Sequence, residues 1–240
     1  MKITGKHLFL LKKLNIGVYD RLKTEFLFHS NRLEGSMFSK EEIMKLTIEN
    51  RVIGSHKLND IIETANSIEV FDFIAKIYNG QLSEKLLKEF HGILLNNSLN
   101  VFDSKLAGTY RPMPARLRKV ELELSSPETI HFDMELLLQE YNEVKMDTRK
   151  IAEFHSKFEK IHTFHDGNGR VGRFIILKQC LDNDVDLIVV HSEYEKEYKD
   201  ALYIAQTGNG IDALVNIFEK SQRRFEKTIR KMMKNLDIYN

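Results

Sequence analysis

The residues from Ile161 to Arg173 hold the densest concentration of reactive side chains in the sequence: Ile-His-Thr-Phe-His-Asp-Gly-Asn-Gly-Arg-Val-Gly-Arg. Gly167, Asn168 and Gly169 do not comfortably continue a helix, and all three tolerate positive φ and close backbone approach. Successive N–H groups in such a turn form a nest for an anion. A helical pattern through Phe174, Ile175, Leu177 and Leu181 follows. The turn therefore also opens a helix, whose first N–H groups lack partners and whose dipole end is positive. Together these predict a phosphate site. Arg170 and Arg173 fall on one face of the first helical turn, placed to clamp a di- or triphosphate. Asp166, beside polyphosphate oxygens, suits Mg²⁺ or Mn²⁺, which needs few protein ligands when phosphates supply the rest. His162, at the entrance of the loop, offers an imidazole that can take a proton from a hydroxyl near neutral pH. Phe164 reads as a core anchor for the loop.

The elements that must position this loop read as helices. Prolines occur only at 112, 114 and 127, which leaves the rest of the chain free of the strongest helix breaker. Ile151, Phe154, His155, Phe158 and Ile161 fall on one helical face just before the loop. A second pattern runs from Ile61 to Ile74, and Ser83 can cap a third through Leu86, Leu87, Phe90, Ile93 and Leu94. Ser39 with Glu42, and Ser192 with Glu195, read as capping boxes. A final helix, over 211–240, follows Gly208-Asn209-Gly210 and carries a basic face that reads as solvated surface. The proline stretch leads into Lys119-Val120-Glu121-Leu122-Glu123-Leu124, a strict alternation that predicts a small hairpin flap over 108–127.

Bulk composition narrows the function classes. The 240 residues are 42% apolar, enough for one full-sized core over 1–240. Lys+Arg total 36 against 35 Asp+Glu, a net charge of +1, so nothing global draws the chain to nucleic acid or an anionic membrane. No apolar run approaches the roughly 18 residues of a membrane span. The N-terminal apolar patch lacks a small-residue cleavage site and reads as part of the fold. The single cysteine, Cys180, excludes intrachain disulfides and four-cysteine zinc sites and fits a reducing, cytoplasmic setting.

Near the N-terminus, Ser30-Asn31-Arg32-Leu33-Glu34-Gly35 reads as a short capped helix ended by glycine, with Ser30 and Glu34 on one face. Residue types alone support a phosphate-binding loop with a base beside it. The His165-Asp166 dipeptide also admits an HD-type metal phosphohydrolase, although the glycine that follows and the two arginines downstream argue against it.

The 162–173 segment resembles the signature of the Fic family, His-x-Phe-x-Asp/Glu-Gly-Asn-Gly-Arg-x-x-Arg, at every fixed position; Thr163 stands where proline is usual. Gly108-Thr109-Tyr110-Arg111 is similar to the stretch before the family's target-binding flap, and Tyr198 to Leu202 to a later helix bordering the nucleotide, so the resemblance spans about 60–215. It implies a mostly α Fic-type helical bundle with a small β-hairpin flap. It further implies AMP transfer from ATP to a Ser, Thr or Tyr hydroxyl of a target protein, with pyrophosphate released. His162 would be the base and Asp166 the ligand of Mg²⁺ or Mn²⁺. Gly167, Asn168 and Gly169 would hold the α-phosphate, and Arg170 and Arg173 the β/γ end. Tyr198 would border the nucleotide, and Val120 and Leu122 would lie on the target-binding flap.

Ser30 to Gly35, within 24–36, is similar to the family's inhibitory helix, in which the glutamate (here Glu34) pairs with the second motif arginine (here Arg173). This arrangement implies self-AMPylation as well and needs no separate antitoxin. Other Fic-type chemistries remain open: AMP removal, phosphorylation, phosphocholine transfer, or an inactive nucleotide-binding module. The target protein stays unidentified and homodimerisation stays open.

Overall fold

The computed structural model describes residues 3–14, 17–77, 80–117 and 121–237. Among them the chain forms α-helices, a single 3₁₀ turn at Ser192–Tyr194 and no strand. The helices are α1 (Gly5–Lys13), α2 (Gly17–Arg32), α3 (Lys40–Glu49), α4 (Leu58–Ile74), α5 (Glu84–Leu94), α6 (Val101–Leu106), α7 (Ile130–Asn142), α8 (Thr148–Ile161), α9 (Asn168–Asp182), α10 (Glu195–Gln206) and α11 (Asp212–Asp237). None of the helices described is long and apolar enough to cross a membrane.

Helix α9 is the axis of the bundle. Every residue from Arg170 to Leu181 is buried, so it lacks a solvent face, and α1, α2, α4, α5 and α8 pack around it. The five predicted face residues of α8, Ile151 to Ile161, are all buried, as the spacing requires. Phe26 of α2 lies 5.3 Å from Phe174 of α9 and 5.6 Å from Phe71 of α4, ring centroid to ring centroid, which fixes α2 against the axis.

Local chemistry sets most of the helix ends. Ser39 and Glu42 form the expected capping box on α3, and Ser83 caps α5 through the Leu86 N–H. The Ser192–Glu195 box does not form. Ser192 opens a 3₁₀ turn, its hydroxyl lies 3.2 Å from Nδ1 of His29, and α10 begins without a side-chain cap. Ser30 is likewise no N-cap. It sits in the last turn of the 16-residue α2, and Gly35, at φ 89°, turns the chain away after Glu34.

Among the described residues the predicted hairpin is not found. Val120 lies outside the described residues, and the described parts of 108–127 run as irregular chain. The alternation survives in burial: Leu122 and Leu124 are half-buried, whereas Glu121 and Glu123 are exposed. Two isolated strands are marginal without a further partner, and Pro112 and Pro114 withhold two ladder donors.

Candidate active site

Helix α8 ends at His162, a non-glycine residue in the left-handed region at φ 53° and ψ 58°. That reversal turns the chain into the loop. Arg111, 2% exposed, holds the end from below. Its Nε donates to the His162 carbonyl at 2.7 Å, Nη1 to Met113 O at 2.8 Å, and Nη2 to Ser125 O. The backbone N–H of Arg111 reaches Thr163 O at 3.0 Å. One guanidinium thus ties the C-terminal end of α8, where carbonyls are unpaired and the dipole is negative, to both ends of the 113–125 stretch.

His162 is half-buried, and its Nδ1 is enclosed without a partner in ordinary hydrogen-bond geometry. Burial, and then the charge of Arg111, hold its pKa below the usual value of 6.5. The imidazole is therefore neutral at physiological pH, the form required of a base.

The loop is pinned from within. Oδ1 of Asn168 accepts the Phe164 N–H at 2.9 Å, and its Nδ2 donates to Phe164 O at 2.8 Å. The Asn168 side chain is thereby committed to the loop. Phe164, fully buried, stacks on the His91 ring with centroids 3.9 Å apart. Nδ1 of His91 accepts the Gly108 N–H at 2.9 Å, which leaves the ring proton on Nε2 to be donated to Asp166 O at 3.1 Å. Burial pushes the His91 pKa down to about 4, so this tautomer persists near neutrality. His91 and Arg111 are positioning residues whose roles the motif does not display.

Gly167, at φ 76°, leads into α9, and no side chain caps the start of that helix. No side chain occupies its first N–H groups, which leaves them free to face an anion. Arg170 is buried; it pairs with Glu63 of α4 through Nη1 and lies 3.3 Å from Asp166 through Nη2. The Asp166 side chain is 52% exposed and faces outward from the same loop.

Arg173 is held by the end of α2. Its Nε donates to the Ser30 hydroxyl at 3.0 Å, while Nη2 donates to the Ser30 carbonyl at 2.9 Å and to Oε1 of Glu34 at 2.6 Å. Burial alone would raise the Glu34 pKa; the Arg173 charge outweighs it and holds the carboxyl below its ordinary value. A cavity of about 360 Å³ opens beside Glu34 and Arg170, walled by Ser36, His56, Asn59 and Glu63.

The structure thus brings His162, Asp166, Gly167, Asn168, Gly169, Arg170, Arg173, Ser30 and Glu34 into one neighbourhood. Tyr198 lies deeper, 3% exposed, with its hydroxyl 2.6 Å from Nε2 of His155. Leu122 sits in the irregular 121–126 stretch.

Residues 81–180, which include this loop, match the model of the Fic/DOC family. This stretch of the chain is a Fic domain. The whole fold is similar to that of a Fic domain-containing signaling protein from Bacteroides thetaiotaomicron, with 23% identity and a TM-score of 0.78 over 94% of this chain and 91% of that one. A Fic-1 fragment from C. elegans matches at 19% identity and a TM-score of 0.74, over 90% of this chain and 64% of that one. A Fic family protein from Desulfovibrio desulfuricans matches at 18% identity and a TM-score of 0.68, over 91% and 69%. No curated protein matches the sequence. The Fic domain points to a transferase, and the bundle around it extends through α1 at one end and α11 at the other.

Proposed function

We propose that this Fic protein transfers AMP from ATP to a hydroxyl side chain of a protein, itself included, and that Glu34 restrains the reaction. One observation carries the reading. A carboxylate, Glu34, is seated against Arg173 and the uncapped start of α9, where the geometry favours phosphate oxygens.

In the transfer, the hydroxyl oxygen attacks the α-phosphorus, and the bond from that phosphorus to the pyrophosphate bridging oxygen breaks. Pyrophosphate leaves with the electron pair, and the hydroxyl proton passes to the neutral imidazole of His162. The N–H groups at the start of α9 face the charge that grows on the phosphoryl oxygens. Arg170 and Arg173 hold the outer phosphates once Glu34 withdraws. Positioning and charge stabilisation supply most of the rate in phosphoryl chemistry. Half-exposed Asp166 fits Mg²⁺ or Mn²⁺, because one carboxylate suffices when the nucleotide supplies the remaining oxygens. Such an ion would neutralise phosphate charge. An extended target segment laid along 121–125 would supply the strand partner that this stretch lacks.

The test is incubation of the Glu34→Gly protein with ATP labelled at the α- or the γ-phosphate, followed by mass spectrometry of the product. Label from the α position alone, with one AMP added, supports AMP transfer. Label from the γ position indicates a kinase, and label from neither rejects transfer from ATP.

A further inference from the structure

A buried cluster outside the phosphate site joins α2 to the turn that leads into α10. Glu25 and His29 lie one turn apart on α2, and His191 precedes the 3₁₀ turn. All three are buried, and one oxygen or nitrogen from each lies within 4.8 Å of the others. The His29 and His191 ring centroids are 4.0 Å apart.

His191 is 2% exposed, yet neither of its ring nitrogens has a hydrogen-bond partner. Burial first, with His29 and Arg224 beside it, pushes its pKa down to about 3, so the ring is neutral and its lone pair free. That is the form that binds metals. Glu25 is ionised: burial would raise its pKa, and His29 and Lys40 overcome that. The Lys40 ammonium stands 2.7 Å from one Glu25 oxygen and 2.8 Å from the other, on a side chain that is 45% exposed. A positive charge therefore already occupies the open side of the cluster, on an arm free to swing into solvent.

We propose that Glu25, His29 and His191 bind a divalent transition metal of the zinc class, exchanged against the Lys40 ammonium, and that the metal pins α2 to the Ser192 turn. Two imidazoles and one carboxylate suit Zn²⁺, with water as the fourth ligand. Loading moves one proton. The Ser192 N–H donates to Nδ1 of His29 at 3.2 Å, so the unloaded ring carries its hydrogen on Nε2, 3.3 Å from Oε1 of Glu25. On binding, that one proton passes by way of solvent from Nε2 to Nδ1, with none released overall, and Nδ1 then donates to the Ser192 hydroxyl, also 3.2 Å away. His29 is followed directly by Ser30, which holds Arg173. The metal would thus stiffen the Glu34 brake, a consequence that rests on the inhibitory reading above.

The test uses the untagged full chain without nucleotide, stripped with a chelator and dialysed against Zn²⁺ or Co²⁺. The expected result is one metal retained per chain, visible d–d absorption for Co²⁺, a rise in Tm with Zn²⁺, and slower amide exchange over 24–36. His191→Ala and Glu25→Gln should each lose all four signals; if His191→Ala does not fold, Glu25→Gln alone decides. No metal retained by the folded wild type, or equal retention by the variants, overturns the site. Retention with unchanged exchange over 24–36 overturns the pinning. None of these readouts uses AMP transfer, so a chain that binds metal but transfers nothing would fail the proposed function alone.

Discussion

Oε1 of Glu34 lies where a side chain on Gly169 would begin: a Cβ built there would stand 2.5 Å from that oxygen and 3.1 Å from Nη1 of Arg173. The carboxylate reaches the start of α9 only because position 169 carries no side chain. An anion-binding turn and the group that blocks it thus share one small-residue requirement.

Glu34→Gly removes the carboxylate and leaves Arg173 its two contacts to Ser30. The expected outcome is faster AMP incorporation, by roughly 5–150-fold, the range of an intramolecular coupling of about 1–3 kcal/mol. The measurement is the initial rate of labelled AMP incorporation at fixed ATP. An unchanged rate would remove Glu34 from the inhibitory role.

Gly169→Ala separates the two uses of that turn. In the wild type the added methyl crowds Glu34 as well as the nucleotide, so its effect there is mixed. In the Glu34→Gly background only the anion remains to be crowded. Transfer there should fall at least about tenfold, the rate lost for each 1.36 kcal/mol of transition-state stabilisation removed. Steady-state rates of the single and double variants check this, and equal rates would place the phosphates away from Gly169.

The pH profile reports on His162. Burial, then Arg111, holds its pKa below the usual value, and a base acts unprotonated. The rate therefore falls as pH drops through that depressed pKa. In the Glu34→Gly background, which removes the brake's own titration, the acid midpoint of kcat/KM should lie below about 6.5. His162→Ala should lower the rate by roughly 10²–10⁴-fold while leaving ATP binding largely intact. A midpoint above the ordinary histidine value, or a variant as fast as its parent, would assign the proton to another group.

The loop was legible in the sequence because its chemistry is local. Gly167, the uncapped start of α9 and the paired arginines are set by residues a few positions apart. The Glu34–Arg173 contact spans 139 positions and was accessible only through the family resemblance. His91 and Arg111 were not legible in these roles, since each acts through contacts 75 and 51 positions away. Ser192 shows the converse: its local pattern favours a capping box, but a partner on α2 takes the hydroxyl instead. Within 121–124 the alternation matches which residues turn inward, but a period of two does not supply the neighbouring strand that a ladder needs.

His91→Phe tests whether the loop needs hydrogen bonds or only a flat ring beneath Phe164. The substitution keeps a ring in place but strands the Gly108 N–H and the Asp166 carbonyl, at about 1–3 kcal/mol for each buried group left unpaired. Tm should fall by several degrees, at about 2–4 °C per kcal/mol for a chain of this size. Transfer in the Glu34→Gly background should fall with it. Thermal unfolding and labelled AMP incorporation read the two effects, and an unchanged Tm would show that stacking alone holds the loop.

Glu159 lies 8% exposed on α8, with Oε1 enclosed and unpaired, close to Gly172 and one helical turn from His155. Burial pushes its pKa up from 4.5 to about 7, with Arg173 opposing and Glu34 adding to the rise. Between those two values the folded chain holds a proton that the unfolded chain has released. Stability is therefore full below the lower value, declines as pH rises through the window, and stays reduced above it. The ceiling on that loss is about 3 kcal/mol, at about 1.4 kcal/mol per pKa unit. Glu159→Gln keeps the shape and removes the titration, so its Tm should exceed that of the wild type by more at about pH 8 than at about pH 4.5. Thermal unfolding of both proteins at the two pH values measures the difference. A gap independent of pH would mean that the carboxyl does not titrate between them, and a smaller gap at pH 8 would mean that the ionised form is stabilised, which would make Glu159 a second anionic partner of Arg173.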